Sequence, residues 1–304
     1  MSLNRILLIG ASGNLGSLIL NHLISSPSGF QVIVLSRESS KATFPQDKRL
    51  EIRRVGDDYP PDGLQAAFRD ADAVISAISM AGMHQQYKFI DAAIAAGVKR
   101  YFPTEFGLDD LPDWLVELRP MFRIKHDVRD YLAAKYAEKG QQGLEWTEIV
   151  CNVFFEMGVM SGFFQFDWSS RTATLIDGGD AKWVVTTLDT VALAVVRALE
   201  KPEVTKNRLL LVQDFRTSQR EILDAIEQRT REKWGVRHVQ YAPWLEEVKN
   251  LVRRGDESAL PKLTFATVVP GSRWEDREEF ANRLLGLPTK SFDEAMDAAL
   301  KNVV

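Results

Sequence analysis

Three glycines in a seven-residue string, Gly10-Ala11-Ser12-Gly13-Asn14-Leu15-Gly16, directly follow the apolar run Ile6-Leu7-Leu8-Ile9. Strand, tight turn and helix start in immediate succession are what a dinucleotide pyrophosphate requires. Gly10 permits the turn, Gly13 lets the backbone approach the anion, and Gly16 lets the following helix pack closely. Ser12, Asn14 and Leu15 lie between them, where the helix N-terminus offers free N–H groups. A second signal sits at the end of the next apolar run, Leu35-Ser36-Arg37, with Ser39 and Lys41 close behind. An acid at this place would bind a ribose 2′-hydroxyl, whereas an arginine accommodates a 2′-phosphate. Arg37 can grip phosphate with two donors and stack on adenine, so the expected cofactor is NADPH/NADP+ rather than NADH. Glu38 would serve a ribose only if the loop were shifted by one residue, and the plain alternative for Arg37 is a solvated surface charge.

Two further sets of residues compete for proton transfer. On a helix expected from Met121 to Lys139, Met121, Ile124, Val128 and Leu132 form the apolar stripe, and Lys125 falls roughly 40° from Met121. A lysine on that border is partly desolvated and loses proton affinity. It can then donate a proton to a developing alkoxide or phenolate, or hold a water that does. Most lysines in such places only lay their stems along apolar surface. The rival is Tyr131-Leu132-Ala133-Ala134-Lys135, the Tyr-x-x-x-Lys spacing of typical short-chain dehydrogenases, with Thr104 as the assisting hydroxyl. Tyr131 and Lys135 lie on the opposite flank of the stripe from Lys125, so both sets cannot face one nicotinamide.

The elements that would position these residues alternate through the first half of the chain. Strands are expected at 31–35, 50–55, 73–78 and 99–103, with helices near 64–68 and 85–96, the latter stopped by Gly97. The run 73–78 is continuously apolar apart from Ser76, as a strand buried on both faces should be. This rhythm predicts an α/β fold: a Rossmann-type, doubly wound parallel sheet with right-handed connections. Gly140 and Gly143 close the long helix, and Trp146–Phe155 reads as a sixth strand. Beyond it come an aromatic stretch (163–168), a turn at 177–180, a helix at 187–199, a strand at 209–212 and a helix at 218–234. Ser218 and Glu221 stand at capping-box spacing there. The tail from Trp244 is mainly helical, broken by Gly286 and Pro288. We expect residues 1–155, with about 183–214, to form the dinucleotide domain, and about 156–182 with 215–304 a smaller, mainly helical substrate lobe.

Bulk properties narrow the function classes. The 304-residue chain carries a formal net charge of −4, 45% hydrophobic and 26% charged residues, the balance of an ordinary soluble globular protein. That charge gives no reason to expect nucleic acid or an anionic membrane as partner. No apolar stretch reaches the ~20 residues that span a bilayer, and the first run is too short for a signal peptide. A single cysteine, Cys151, excludes an internal disulfide, and the four histidines lack metal-ligand spacing. The expectation is a cytoplasmic, metal-free enzyme, monomeric or homodimeric, acting on a small molecule.

Several strings together resemble one family, the isoflavone reductase-like or NmrA-like branch of the atypical short-chain dehydrogenase/reductases. They are Gly10–Gly16, the Ser36-Arg37 pair, Val74-Ile75-Ser76-Ala77 and the string Ala96-Gly97-Val98-Lys99-Arg100-Tyr101-Phe102-Pro103-Thr104-Glu105-Phe106-Gly107. Phe122–Arg129, Asn152-Val153-Phe154-Phe155 and Leu285-Gly286-Leu287-Pro288 complete the match. The resemblance implies NADPH binding and reduction of phenolic or related small molecules. It places Lys125 where the family's catalytic lysine falls, and Asn152 and Phe154 beside the nicotinamide. Ser76, Ala77 and Ile78, at the end of the fourth strand, would border the cofactor, and Thr104 would join them. Asn152, inside an apolar run, suits a structural hydrogen bond equally well. His84 and Gln86 open a helix and would meet ribose or substrate, or simply start that helix. Phe106, Phe155, Met157, Phe164 and Trp168 would suit a flat aromatic substrate, or plain core. Two other functions share such a fold: a redox-sensing regulator that binds NADP(H) without turnover, and an isomerase or dehydratase. Lys125 favours the enzyme, since the regulators lack that lysine.

Overall fold

Alternate residues of the first strand go to opposite cores. Along β1 (Arg5–Ile9), Ile6 and Leu8 enter one cluster and Leu7 and Ile9 the other, so the strand needs cover on both faces. The computed structural model describes residues 2–109, 111–139 and 143–301. After β1 come α1 (Asn14–Ser25), β2 (Gln31–Arg37), β3 (Leu50–Val55), α2 (Pro61–Phe68), β4 (Ala73–Ser76), α3 (Gln86–Ala95), β5 (Arg100–Phe102), α4 (Asp113–Leu118), α5 (Ile124–Lys139) and β6 (Glu145–Val150). The next segment holds β7 (Val153–Phe154), α6 (Phe155–Met160), β8 (Phe166–Asp167), β9 (Thr172–Ile176), β10 (Trp183–Thr186), α7 (Leu188–Glu200), α8 (Pro202–Thr205) and β11 (Arg208–Leu211). The last comprises β12 (Phe215–Thr217), α9 (Gln219–Thr230), β13 (Gly235–Val239), α10 (Tyr241–Arg253), α11 (Leu260–Ala266), α12 (Asn282–Leu285) and α13 (Phe292–Leu300).

Seven strands form one sheet in the order β11-β6-β5-β4-β1-β2-β3, and every pairing in it is parallel. This is the expected doubly wound sheet. The order reverses at β1, between β2 and β4, so the ends of these strands open a crevice beside Ile9. Leu15, Ile19 and Leu23 of α1 and Val191 and Val195 of α7 cover one face. Leu64 of α2, Phe89 of α3, and Val128 and Leu132 of α5 cover the other. A third core, built from α6, β9, β10, α9, α10, α11 and α13, makes the second lobe. Among the described residues no helix is long and apolar enough to cross a membrane.

The structure corrects four expectations. The strand read at 146–155 is two strands: β6 ends at Val150, Asn152 turns the chain with φ of 53°, and β7 pairs with β10 instead of a neighbour of β6. Asparagine tolerates this left-handed conformation better than its apolar neighbours. In consequence β10, expected with the dinucleotide domain, lies in a three-stranded sheet with β7 and β12, while β11 does join the large sheet. The helix read from Met121 starts at Ile124, because Pro120–Arg123 is a 3₁₀ turn. Met121 is therefore 47% exposed and off the apolar stripe, since a 100° step cannot be extrapolated through that turn. Finally, β8, β9 and β13 form a three-stranded sheet where the sequence pattern predicts no strand. The stop expected at Gly140 lies outside the described residues. Gly143 packs tightly, a Cβ there falling 2.8 Å from the Tyr136 carbonyl oxygen.

Candidate functional site

The glycine string forms the floor of a cavity of about 480 Å³ at the crevice beside β1. Gly10 has φ of 86°, and a Cβ on it would lie 2.3 Å from the Ala77 carbonyl oxygen. The turn is thus pressed against the end of β4. Gly13 caps α1 without a side-chain bond, which leaves the first N–H groups of the helix open to an anion. Gly16 packs against the turn rather than the sheet, a Cβ there meeting the Gly10 oxygen at 2.0 Å. Ser12, Ala77 and Ile78 line the same cavity, whereas Leu15 is buried in the core.

Arg37 lies at the far end of the cavity, exposed at the end of β2. The loop carrying it is braced by a residue the sequence reading missed: Arg54 Nη1 donates to the carbonyl oxygens of Arg37 (3.2 Å), Glu38 (3.4 Å) and Ser40 (3.2 Å). Asp57 Oδ1 accepts from the Ser39 N–H at 3.1 Å. Its hydrogen bonds from Ser39 hold the carboxyl below its ordinary pKa, with a smaller effect from Arg37. Phe44 and Tyr59 add aromatic wall, Tyr59 standing edge-on to Phe89 at 5.0 Å. The pairing Arg37↔Val55 explains these additions, because whatever follows β3 must border whatever follows β2.

At the other end, a hydroxyl pair leads out of the cavity. Thr104 Oγ1 donates to the Ser76 carbonyl oxygen at 2.8 Å and lies 2.9 Å from Ser76 Oγ. The Ile78 N–H donates to the same Thr104 oxygen at 3.4 Å. Gln86 is buried and accepts from the Thr104 N–H at 2.8 Å, so it braces the loop. His84 lines the cavity beside Gln85. The next residue after Thr104 is Glu105, whose main-chain carbonyl accepts from Lys125 Nζ. Lys125 has a side chain 15% exposed, and Gly107 leaves room for it: a Cβ at Gly107 would lie 3.0 Å from Nζ. The ammonium also lies 4.0 Å from Glu105 Oε2. Burial lowers the pKa of the ammonium below the ordinary 10.5, opposed by the Glu105 carboxylate.

The rival pair is directed elsewhere. Tyr131 Oη donates to Asp91 Oδ1 at 2.6 Å and its ring stands edge-on to Tyr87, on the side of α3. Burial and the Asp91 bond raise its pKa to about 12. Lys135 lies over the Tyr131 ring and near Glu138. Neither Tyr131 nor Lys135 is among the residues lining the cavity at the glycine turn.

Of the residues expected at the substrate, Met157 is 41% exposed, and its sulfur lies 3.9 Å from Asn14 Nδ2 at the start of α1. Phe154, expected beside the nicotinamide, is half-buried at the end of β7 on the adjoining segment. Phe155 and Phe164 are fully buried in the lobe core, Phe155 against Phe215 and Phe292, and Phe164 against Trp183 and Phe265. Phe106 is buried in the core beneath the sheet. These three pack the protein rather than line a cleft, as aromatics in such numbers usually do. Trp168 Nε1 donates to the Val159 carbonyl oxygen at 2.9 Å, also a packing role. Asn152 Nδ2 donates to the Val184 carbonyl oxygen at 2.9 Å and lies 3.4 Å from Ser272 Oγ. Its amide thus holds the switch between sheets.

The pattern of the NmrA-like family matches residues 2–260. An Aspergillus flavus protein, oxidoreductase aprR, is 35% identical over 98% of this chain and 99% of its own length. Phenylcoumaran benzylic ether reductase POP1 of Populus trichocarpa is 28% identical over 69% of each chain. Among solved structures, AtPrR2 with NADP+ and (+)pinoresinol superimposes with a TM-score of 0.76 at 20% identity, over 98% of this chain and 99% of that one. An isoflavone reductase crystal structure gives 0.73 at 21% identity, over 98% and 99%. With the glycine turn, the Arg37 loop and the Glu105–Lys125 contact on one parallel sheet, the chain belongs to the NmrA-like family.

Proposed function

We propose that this protein is an NADPH-dependent reductase of a small aromatic metabolite, with Lys125 as proton donor or as holder of an ordered water. The observation that carries the reading is the Lys125 ammonium, docked on the Glu105 carbonyl one residue beyond the hydroxyl that bonds the cavity wall at Ile78. The oxidoreductase and reductase relatives support the same class of activity.

The residues fit a dinucleotide. Side chains at Gly10 or Gly16 would fill the space that the turn needs, and the uncapped start of α1 presents N–H groups toward the pyrophosphate position. Arg37 suits the 2′-phosphate. When bound, NADPH supplies the hydride. Lys125 Nζ keeps one N–H on the Glu105 carbonyl, which fixes its direction and leaves the others for a substrate oxygen. As charge develops on that oxygen, a proton leaves Nζ for it, directly or through water. Burial of the ammonium eases this transfer because it lowers the pKa. Met157 and Phe154, beside the start of α1 and on β7, offer apolar surface to a flat substrate.

The test combines fluorescence titration with NADPH and incubation with phenolic ketones, enones and benzylic ethers. The expected result is tight binding and NADPH consumption matched by reduced product. Binding with no consumption on any of these compounds would assign the redox-sensing role instead. Absence of binding would overturn the reading altogether.

A further inference from the structure

Lys125 stands in a buried group of charges that reaches beyond its own hydrogen bond. Glu105 is 1% exposed, and each of its carboxyl oxygens takes a 3.2 Å bond from Arg129, one turn further along α5. Arg129 Nε also lies 3.2 Å from Glu148 Oε2 on β6. Lys125 Nζ is 4.0 Å from Glu105 Oε2 and donates to the carbonyl of the same residue. A single residue therefore meets the ammonium with both its main chain and its side chain.

We propose that Glu105 is the positioning residue of Lys125: its carbonyl sets where the ammonium points, and its carboxylate, gripped in the Arg129 fork, supplies the negative charge that balances it. The inference rests on Lys125 serving as the proton donor, and it extends that role to a residue with no direct access to substrate.

The signs of all the groups facing Nζ are defined. Glu105, on the loop after β5, favours the ammonium, whereas Arg129, on the same helix, opposes it. Cys151, following β6, is a neutral thiol, its pKa pushed up to about 12 by burial. Glu148 faces Arg129, and burial pushes its pKa up to about 8, so it is mostly protonated at neutral pH. The two carboxyl groups on Arg129 are unequal toward Lys125, because it is Glu105 that lies within ion-pair distance of Nζ. A purely structural staple between α5 and its neighbours would make Glu105 and Glu148 equivalent, whereas a balancing charge makes only Glu105 matter to Lys125.

Trace competitive acetylation of the full chain with acetic anhydride between pH 6 and 11, read by mass spectrometry on the peptide holding Lys125, measures the ammonium midpoint without any substrate. The wild-type midpoint should lie below those of exposed lysines in the same digest. Glu105→Gln keeps shape and carbonyl but removes the charge, and should lower the Lys125 midpoint by about one unit. Glu148→Gln removes a carboxyl that faces Arg129 rather than Nζ and should leave the midpoint in place. Glu105→Asp withdraws the charge by one methylene and should give a downward shift of about half a unit, which serves as the reading if Glu105→Gln does not fold. Identical midpoints in wild type and the Glu105 variants, or equal shifts from Glu105→Gln and Glu148→Gln, would overturn the inference. Failure of the reductase reading would show separately, as absent NADPH consumption with these shifts intact.

Discussion

A Cβ on Gly16 would stand 2.0 Å from the carbonyl oxygen of Gly10, so the first turn of α1 touches the preceding loop backbone to backbone. Gly16→Ala must push the two apart. Overpacking of this kind costs about 1–3 kcal/mol, and the displaced loop should raise the Kd for NADPH at least roughly tenfold. Gly235→Ala is the control, because a Cβ there meets nothing closer than 3.9 Å and should leave the affinity unchanged. Urea unfolding and fluorescence titration read the two effects.

Arg37 separates the two nicotinamide coenzymes. Losing hydrogen bonds from an arginine to phosphate is worth about 1.5–3 kcal/mol, so Arg37→Ala should weaken NADPH by roughly 10- to 100-fold. NADH, which lacks the 2′-phosphate, should change little. Equal weakening of both would show that Arg37 serves something other than that phosphate.

The two candidate proton donors on α5 make opposite predictions. Lys125→Ala should reduce turnover by roughly 100-fold or more, the usual contribution of a positioned general acid, with the Kd for NADPH nearly unchanged. Tyr131→Phe removes a hydroxyl committed to Asp91 and should leave turnover near wild type. A reversal of this pattern, seen in steady-state rates, would restore the Tyr-x-x-x-Lys chemistry.

Glu148 gives stability a pH dependence of definite sign. Its folded pKa of about 8 stands above the ordinary 4.5, so between those values the folded chain binds a proton that the unfolded chain has released. The associated stability is full below about pH 4.5 and is lost progressively as pH rises through 8. Glu148→Gln cannot ionise and lacks this loss. Urea midpoints for wild type and variant should therefore converge, or cross in favour of the variant, on going from pH 5 to pH 9. Parallel curves would refute the assignment.

The large sheet was legible because its central strands are buried on both faces. Runs such as Ile6–Ile9 and Val32–Leu35 have no amphipathic ambiguity, and the glycine turn between strand and helix fixes where the crevice opens. Lys125 was found through the string around it, although the stripe argument failed at Met121, where a 3₁₀ turn changes the helical phase. Glu105, Arg129 and Glu148 escaped notice as a group because they come from a loop, a helix and a strand. Only the register of the sheet brings them together. The same holds for Arg54, whose side chain reaches from β3 to the Arg37 loop. The aromatic residues misled for a simpler reason: size and flatness suit a ligand and a core equally, and nothing local distinguishes them.

Asn152 joins two sheets through one left-handed residue whose amide is tied to Val184 and Ser272. A linker of that length contains no slack. Opening and closing of the lobe over the crevice would therefore have to break those bonds or tilt both layers together.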